Sequence, residues 1–301
     1  MTTPAQRGRT GRQAGFSLIE IMVVLVIFLI VTGAVFGLLN VAQIRYRAEK
    51  QFLDSFQGAR IGVDLMVRDI HNAGYPPPYT YPGNFPKLPT GPTPALIPDP
   101  VPWEIPTQAG PALQDRFALG IAGVRAGVVD ISCTVNGGAS PCDTPNAFDL
   151  ILELDVDPET ANPALGPDIE WVRYQLCWIQ PSGACDPDTK PAGGETTVIV
   201  RGVETKDAIS DPSVVVLSNI PFVEGIVQDS TLPVGALLPD GTRNAAVFTY
   251  VCPGGALSCT VEEVESIIIT LRVRSVDPDI QTRQAREITL RGLARRLNPT
   301  R

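Results

Sequence analysis

The chain has 301 residues, 44% hydrophobic and 19% charged, enough for one good-sized soluble core beyond any membrane segment. Its 32 acids against 24 basic residues give a formal charge of −8, which disfavours bulk binding to nucleic acid or anionic lipid. With one histidine, His71, and no G-x-S-x-G elbow or G-x-x-x-x-G-K-[ST] loop, the sequence points to no enzyme and no cofactor.

At the start, Arg7, Arg9 and Arg12 stand without an acid ahead of Gly15-Phe16-Ser17-Leu18-Ile19-Glu20, which runs into an apolar block from Ile21 to Leu39. Nineteen helical residues rise roughly 28 Å, close to the ~30 Å hydrocarbon core of a bilayer, so this segment can cross a membrane. An acid inside such a helix opposes insertion by about 3 kcal/mol unless it is neutralised or paired, so Glu20 is a functional candidate. A snorkelling acid near the helix end is the plainer alternative.

This combination resembles the class III signal of type IV prepilins and pseudopilins. The resemblance implies a cut between Gly15 and Phe16, ahead of the apolar region, whereas an ordinary secretory signal is cut after it. It also implies N-methylation of Phe16, and a Glu20 carboxylate that faces the free Phe16 amine of a neighbouring subunit. Removal of residues 1–15 lowers the formal charge to about −11 through loss of three arginines.

Gly33 and Gly37 form a G-x-x-x-G that permits close helix packing in membranes. Many major pilins carry a helix-breaking proline where this chain has Gly37. Beyond Asn40 a helical stripe continues through Val41, Ile44, Ala48, Phe52, Phe56, Ala59, Val63, Met66 and Ile70. Gly74 and Pro76-Pro77-Pro78 end it, so one helix is expected from Phe16 to about Asn72, its second half packed against the head.

From Tyr75 to Pro111, thirteen prolines alternate with aromatic residues, a pattern that fits an irregular surface loop. The remainder reads as β: Phe117–Gly123, Val128–Cys133, Phe148–Asp155, Ile169–Ile179, Thr197–Val203, Val214–Leu217, Ala245–Cys252, Ile267–Arg274 and Glu287–Leu293. Without helices between them, these strands should form a largely antiparallel sheet.

All six cysteines follow the apolar helix, in three close pairs: Cys133 with Cys142, Cys177 with Cys185, Cys252 with Cys259. None has zinc or C-x-x-C spacing, so the shortness of the loops favours disulfides between adjacent cysteines and an oxidising compartment for the head, although six cysteines allow fifteen connectivities. Positive charge flanks the apolar segment on both sides, with Arg45, Arg47 and Lys50 beyond it, so the cysteines decide the orientation: leader inside, head outside.

The acids Asp155, Asp157 and Glu159, Asp186 with Asp188, and Asp277 with Asp279 are weak calcium candidates, and each group sits equally well in a turn. From Arg272 to Arg301 eight arginines face three acids, the place where DNA binding would reside; pairing of Arg272 and Arg274 with acids of the head is the stronger alternative.

Within the prepilin family, Gly58-Ala59-Arg60 to Asp69-Ile70, then Ala73-Gly74-Tyr75, and the pair Ile267–Arg274 with Ile288-Thr289-Leu290-Arg291 resemble PilW-type minor pilins. J-class type II secretion pseudopilins share that closing hairpin. The expected fold is α+β and pilin-like, a long N-terminal helix on a largely antiparallel sheet. The expected parts are a leader (1–15), a transmembrane and assembly helix (16–40), an amphipathic helix (41–74), a proline-rich loop (75–111) and a β-rich head (112–301).

The implied role is a minor pilin subunit of a type IV pilus, with a type II secretion pseudopilin and a pilus-borne adhesin or DNA-binding module as alternatives. The implied partners are prepilin peptidase/methyltransferase, other major and minor pilins, the inner-membrane assembly platform and, before assembly, membrane lipid.

Overall fold

The computed structural model describes residues 15–74, 118, 120–156, 169–194, 196–206, 221–275 and 285–296. The leader up to residue 14, the proline-rich segment and the expected strand Val214–Leu217 lie outside the described residues. Contacts divide the chain into two units, Met1–Lys50 and Gln51–Arg301.

One helix, α1, runs Leu18–Asn72. Among the described residues twelve strands follow: β1 Val124–Arg125, β2 Val128–Val129, β3 Thr134–Val135, β4 Asp149–Leu154, β5 Glu170–Ile179, β6 Cys185–Asp186, β7 Thr197–Thr205, β8 Val223–Ile226, β9 Phe248–Val251, β10 Cys259–Thr260, β11 Ser266–Arg274 and β12 Glu287–Arg295. The main sheet has the order β12-β11-β8-β7-β5-β4, with β9 also on β11 and β6 on β5, and its pairs are antiparallel. The fold is therefore α+β, with one long N-terminal helix and a largely antiparallel sheet.

Strand composition explains the order of the sheet. In β11, Ile267, Ile269, Leu271 and Val273 alternate inward with half-buried Ile268, Thr270, Arg272 and Arg274, the period-2 pattern of a strand with one core face. β4 and β5 are buried almost throughout because a second small cluster of Ala122, Val124, Ile151 and Trp171 covers their other face. The expected strand Val128–Cys133 is shorter than its β-branched composition suggests. It pairs only at Val128–Val129, and Asp130 then accepts bonds from the Ser132 amide and hydroxyl, which turns the chain. The four-residue β8, interrupted by Gly225 at φ 73°, carries too little pattern to be visible in the sequence.

The second unit begins within α1, and Ala59, Val63, Met66, Ile70 and Ala73 form the buried stripe there. Two glycines allow the close approach. A Cβ on Gly62 would collide with Val223 of β8, and one on Gly292 of β12 would stand 2.7 Å from Val63 and 2.9 Å from Val67. Upstream the stripe is less covered: Phe52 and Phe56 are half-buried, whereas Val41 and Ile44 are exposed.

One polar group sits inside this apolar contact. Asp69 accepts a bond from the Tyr174 hydroxyl at 2.6 Å and pairs with the Arg201 guanidinium at 3.1 Å, which also donates to the Tyr174 oxygen at 3.0 Å. The triangle joins α1 to β5 and β7 and fixes the helix both along and around its axis, because each member satisfies the others away from water. Burial, then the Asp69 charge, pushes the Tyr174 phenol well above its ordinary value.

Disulfides join Cys133 to Cys142, Cys177 to Cys185 and Cys252 to Cys259. Two of the loops lie side by side, since β3 pairs with β10.

The same substitution should have opposite signs at two helix positions. Gly58→Ala, in open space, should stabilise by up to about 1 kcal/mol, whereas Gly62→Ala should destabilise by about 1–3 kcal/mol. Urea unfolding of the full chain in detergent, followed through the buried Trp171 and Trp178, reads both; equal signs would mean that the helix does not touch β8.

Asp69→Ala should cost about 3 kcal/mol, because it strands a mostly buried arginine, and Tyr174→Phe only about 1 kcal/mol. The fold holds the Tyr174 phenol neutral, so its contribution is complete below the ordinary value of 10.0 and is lost as pH rises above it. Tyr174→Phe should therefore flatten the alkaline loss of stability; a loss of unchanged steepness would contradict this assignment.

Candidate functional site

Gly15, Phe16 and Ser17 carry no helix or strand, and α1 begins at Leu18. The Ser17 carbonyl accepts the first helical bonds, from the Glu20 amide at 3.0 Å and the Ile21 amide at 3.2 Å. Ser17 thus occupies the N-cap position and Glu20 the third helical position, the spacing of a capping box, S-x-x-E. This signal was available in the sequence and gives Glu20 a local role: a carboxylate in the first helical turn gains about 0.3–1 kcal/mol from the helix dipole. An acid at the centre of a membrane helix costs about 3 kcal/mol, more than the dipole returns, so a partner for the carboxylate would further favour its burial.

The Gly15–Phe16 bond is open. An added Cβ on Gly15 would meet nothing within 4 Å, and Phe16 is 80% exposed. A bond in a non-helical segment is what a peptidase needs, since its site must reach both faces of the peptide group. Hydrolysis there would free an amine one residue ahead of the N-cap. A positive charge next to the helix N-terminus is disfavoured by the dipole, so a carboxylate is its natural neutraliser.

The helix beyond Glu20 shows apolar side chains on every side. Its most apolar 18-residue window has mean hydropathy 3.0 and no buried residue, and Ile21, Phe28, Phe36 and Leu38 are all exposed. By length and composition the helix can cross a membrane and serve as an anchor. Gly33 and Gly37 also face open space, one turn apart.

Of the calcium candidates, Asp155 follows β4, while Asp157, Glu159, Asp277 and Asp279 lie outside the described residues. Asp186 Oδ1 accepts the Asp188 amide at 2.9 Å and the Thr189 amide at 3.1 Å, which makes the Asp186–Asp188 pair a turn. These bonds hold the exposed Asp186 carboxyl below its ordinary range. Arg272 and Arg274 both pair with Asp240 and Glu287 at 2.6–3.3 Å, which commits the two arginines to the head's own acids.

The model of the prokaryotic N-terminal methylation motif covers residues 10–36, the span that holds Gly15, Phe16, Glu20 and most of the apolar run. No curated protein and no solved structure matches the chain. The match supports a type IV pilin-like class III signal over these residues, the kind of signal that prepilin peptidase processes.

Proposed function

We propose that the protein is a minor pilin subunit of a type IV pilus, made as a prepilin, cut after Gly15, methylated on the Phe16 amine and assembled in the initiation or tip complex. One observation carries this reading: an acid in the first turn of a fully exposed apolar helix, four residues after an open Gly-Phe bond, inside the matched methylation motif. The Glu20 carboxylate of one subunit pairs with the Phe16 amine of another. That pairing neutralises both charges in an apolar surrounding and sets the axial register of the helices.

Before assembly the subunit is a single-pass inner-membrane protein, its N-terminus cytoplasmic and its head periplasmic. The three disulfides, all beyond the helix, support that orientation. Length and six cysteines favour the minor pilin over a J-like secretion pseudopilin, and Gly33 with Gly37 supply a close-packing face for neighbouring helices.

Gly15→Leu should leave an uncut membrane protein, seen as a single slower band and absent from sheared filaments. Normal processing of that variant would remove the assignment of the cleavage site.

Glu20→Val should insert at least as well as wild type and be cut normally, because the junction is untouched. Yet it should fail to support pili, since the neighbour's amine is left without its carboxylate. Wild-type pilus number from a strain holding only the Glu20→Val copy would reduce Glu20 to a helix-capping acid.

A further inference from the structure

The two edges of the main sheet are treated differently. At β4 the outer edge is covered: the Ala122 amide bonds the Ile151 carbonyl at 3.0 Å, the Glu153 amide the Gly120 carbonyl at 2.7 Å, and the Gly74 amide the Glu153 carbonyl at 2.9 Å. At β12 nothing pairs with the outer edge among the described residues. The strand is nine residues long with no proline, and its register on β11 runs unbroken from Ser266↔Arg295 to Arg274↔Glu287.

The direction of the free groups follows from the ladder. The Ser275 amide donates to the Arg286 carbonyl at 2.9 Å, which makes these two a hydrogen-bonded pair in the same register. Antiparallel pairing alternates, so the even-numbered residues of β12 point their amides and carbonyls at β11. Glu287, Thr289, Arg291, Leu293 and Arg295 point theirs away, and their side chains are the exposed set. A long, open edge of this kind is a template for another strand unless something blocks it.

The side chains along that edge say what fits. Arg272 and Arg274 are spent on Asp240 and Glu287, Arg286 stands over the Phe52 ring, and Arg296 is buried with a bond to the Glu262 carbonyl at 3.1 Å. Arg291 and Arg295 make no hydrogen bond or ion pair among the described residues, and Leu293 between them is 65% exposed. The edge therefore presents basic, apolar, basic at every second residue, on a protein whose formal charge is −8.

We propose that β12 receives an extended strand from another pilin-type subunit, with an acid-x-apolar-x-acid pattern that sets its acids opposite Arg291 and Arg295 and its apolar residue opposite Leu293. Main-chain bonds to the five outward residues supply affinity, and the cross-strand charge and apolar pairs supply register and choice of partner. The acceptor edge rests on the assembly reading above, which supplies the kind of partner.

The test is a photoreactive benzoylphenylalanine in place of Thr289, in the full chain, expressed in its host and irradiated in membrane and filament fractions. The expected result is an adduct mapped by mass spectrometry to an acidic extended segment of another pilin-type subunit. It should fall at least tenfold in Arg291→Glu/Arg295→Glu and persist in Arg291→Lys/Arg295→Lys.

An adduct indifferent to charge reversal, an adduct with nucleic acid, or no adduct in either fraction would overturn the proposal. So would homo-oligomers that appear only in Arg291→Thr/Arg295→Thr, because the arginines would then serve to keep the edge unpaired. A subunit never found in filaments would contradict the assembly reading, while the membrane fraction still reports on the edge.

Discussion

A helix whose first twenty-odd residues are apolar on nearly every side imposes a condition that the described residues of its own chain do not meet. From Leu18 to Leu39 the side chains are almost all exposed, whereas from Ala59 onward one stripe is buried by the sheet. The first part needs hydrocarbon or other helices around it, and the second needs a partner surface pre-shaped to receive it. Continuity of the backbone through Leu18–Asn72 joins the two requirements in one element. In the proposed function one apolar surface serves twice, covered first by lipid and then by neighbouring helices.

Within that apolar run the position of the single acid matters more than its presence. At the third helical position Glu20 gains from the free amides of the first turn, but the gain is a fraction of the insertion cost. Two or three turns deeper it would have neither the dipole nor reach to a newly freed amine. In the proposed function the exposed Gly15–Phe16 bond and the carboxylate are parts of one device, cleavage creating the charge that the acid neutralises.

In the second unit, packing and polarity divide the work. Gly62 and Gly292 bring helix and sheet backbones close, which gains contact area but tolerates rotation and sliding of smooth apolar surfaces. The Asp69, Tyr174 and Arg201 triangle removes that freedom, since a helix shifted by one residue would leave buried Asp69 and Tyr174 and half-buried Arg201 without their partners.

The sequence made the helix, its stop at Gly74 and the long strands β5, β7, β11 and β12 legible, because each carries a sustained apolar period. The short strands β3, β6, β8 and β10 were not legible, because two to four residues hold no period; β3, β6 and β10 lie at disulfide loops, and β8 is held between β7 and β11. Glu20 stood out because an acid amid nineteen apolar residues is conspicuous. Asp69 did not, since an acid on an amphipathic helix looks like solvent-facing surface until β5 and β7 fold over it, and the open edge of β12 exists only once strand order is known. Intact-mass measurement of the protein from purified filaments decides whether cleavage at the open bond frees the amine that Glu20 serves. The expected chain begins at Phe16 with one added methyl group on its amine; a chain that still carries Gly15, or that begins anywhere beyond Phe16, would overturn this assignment.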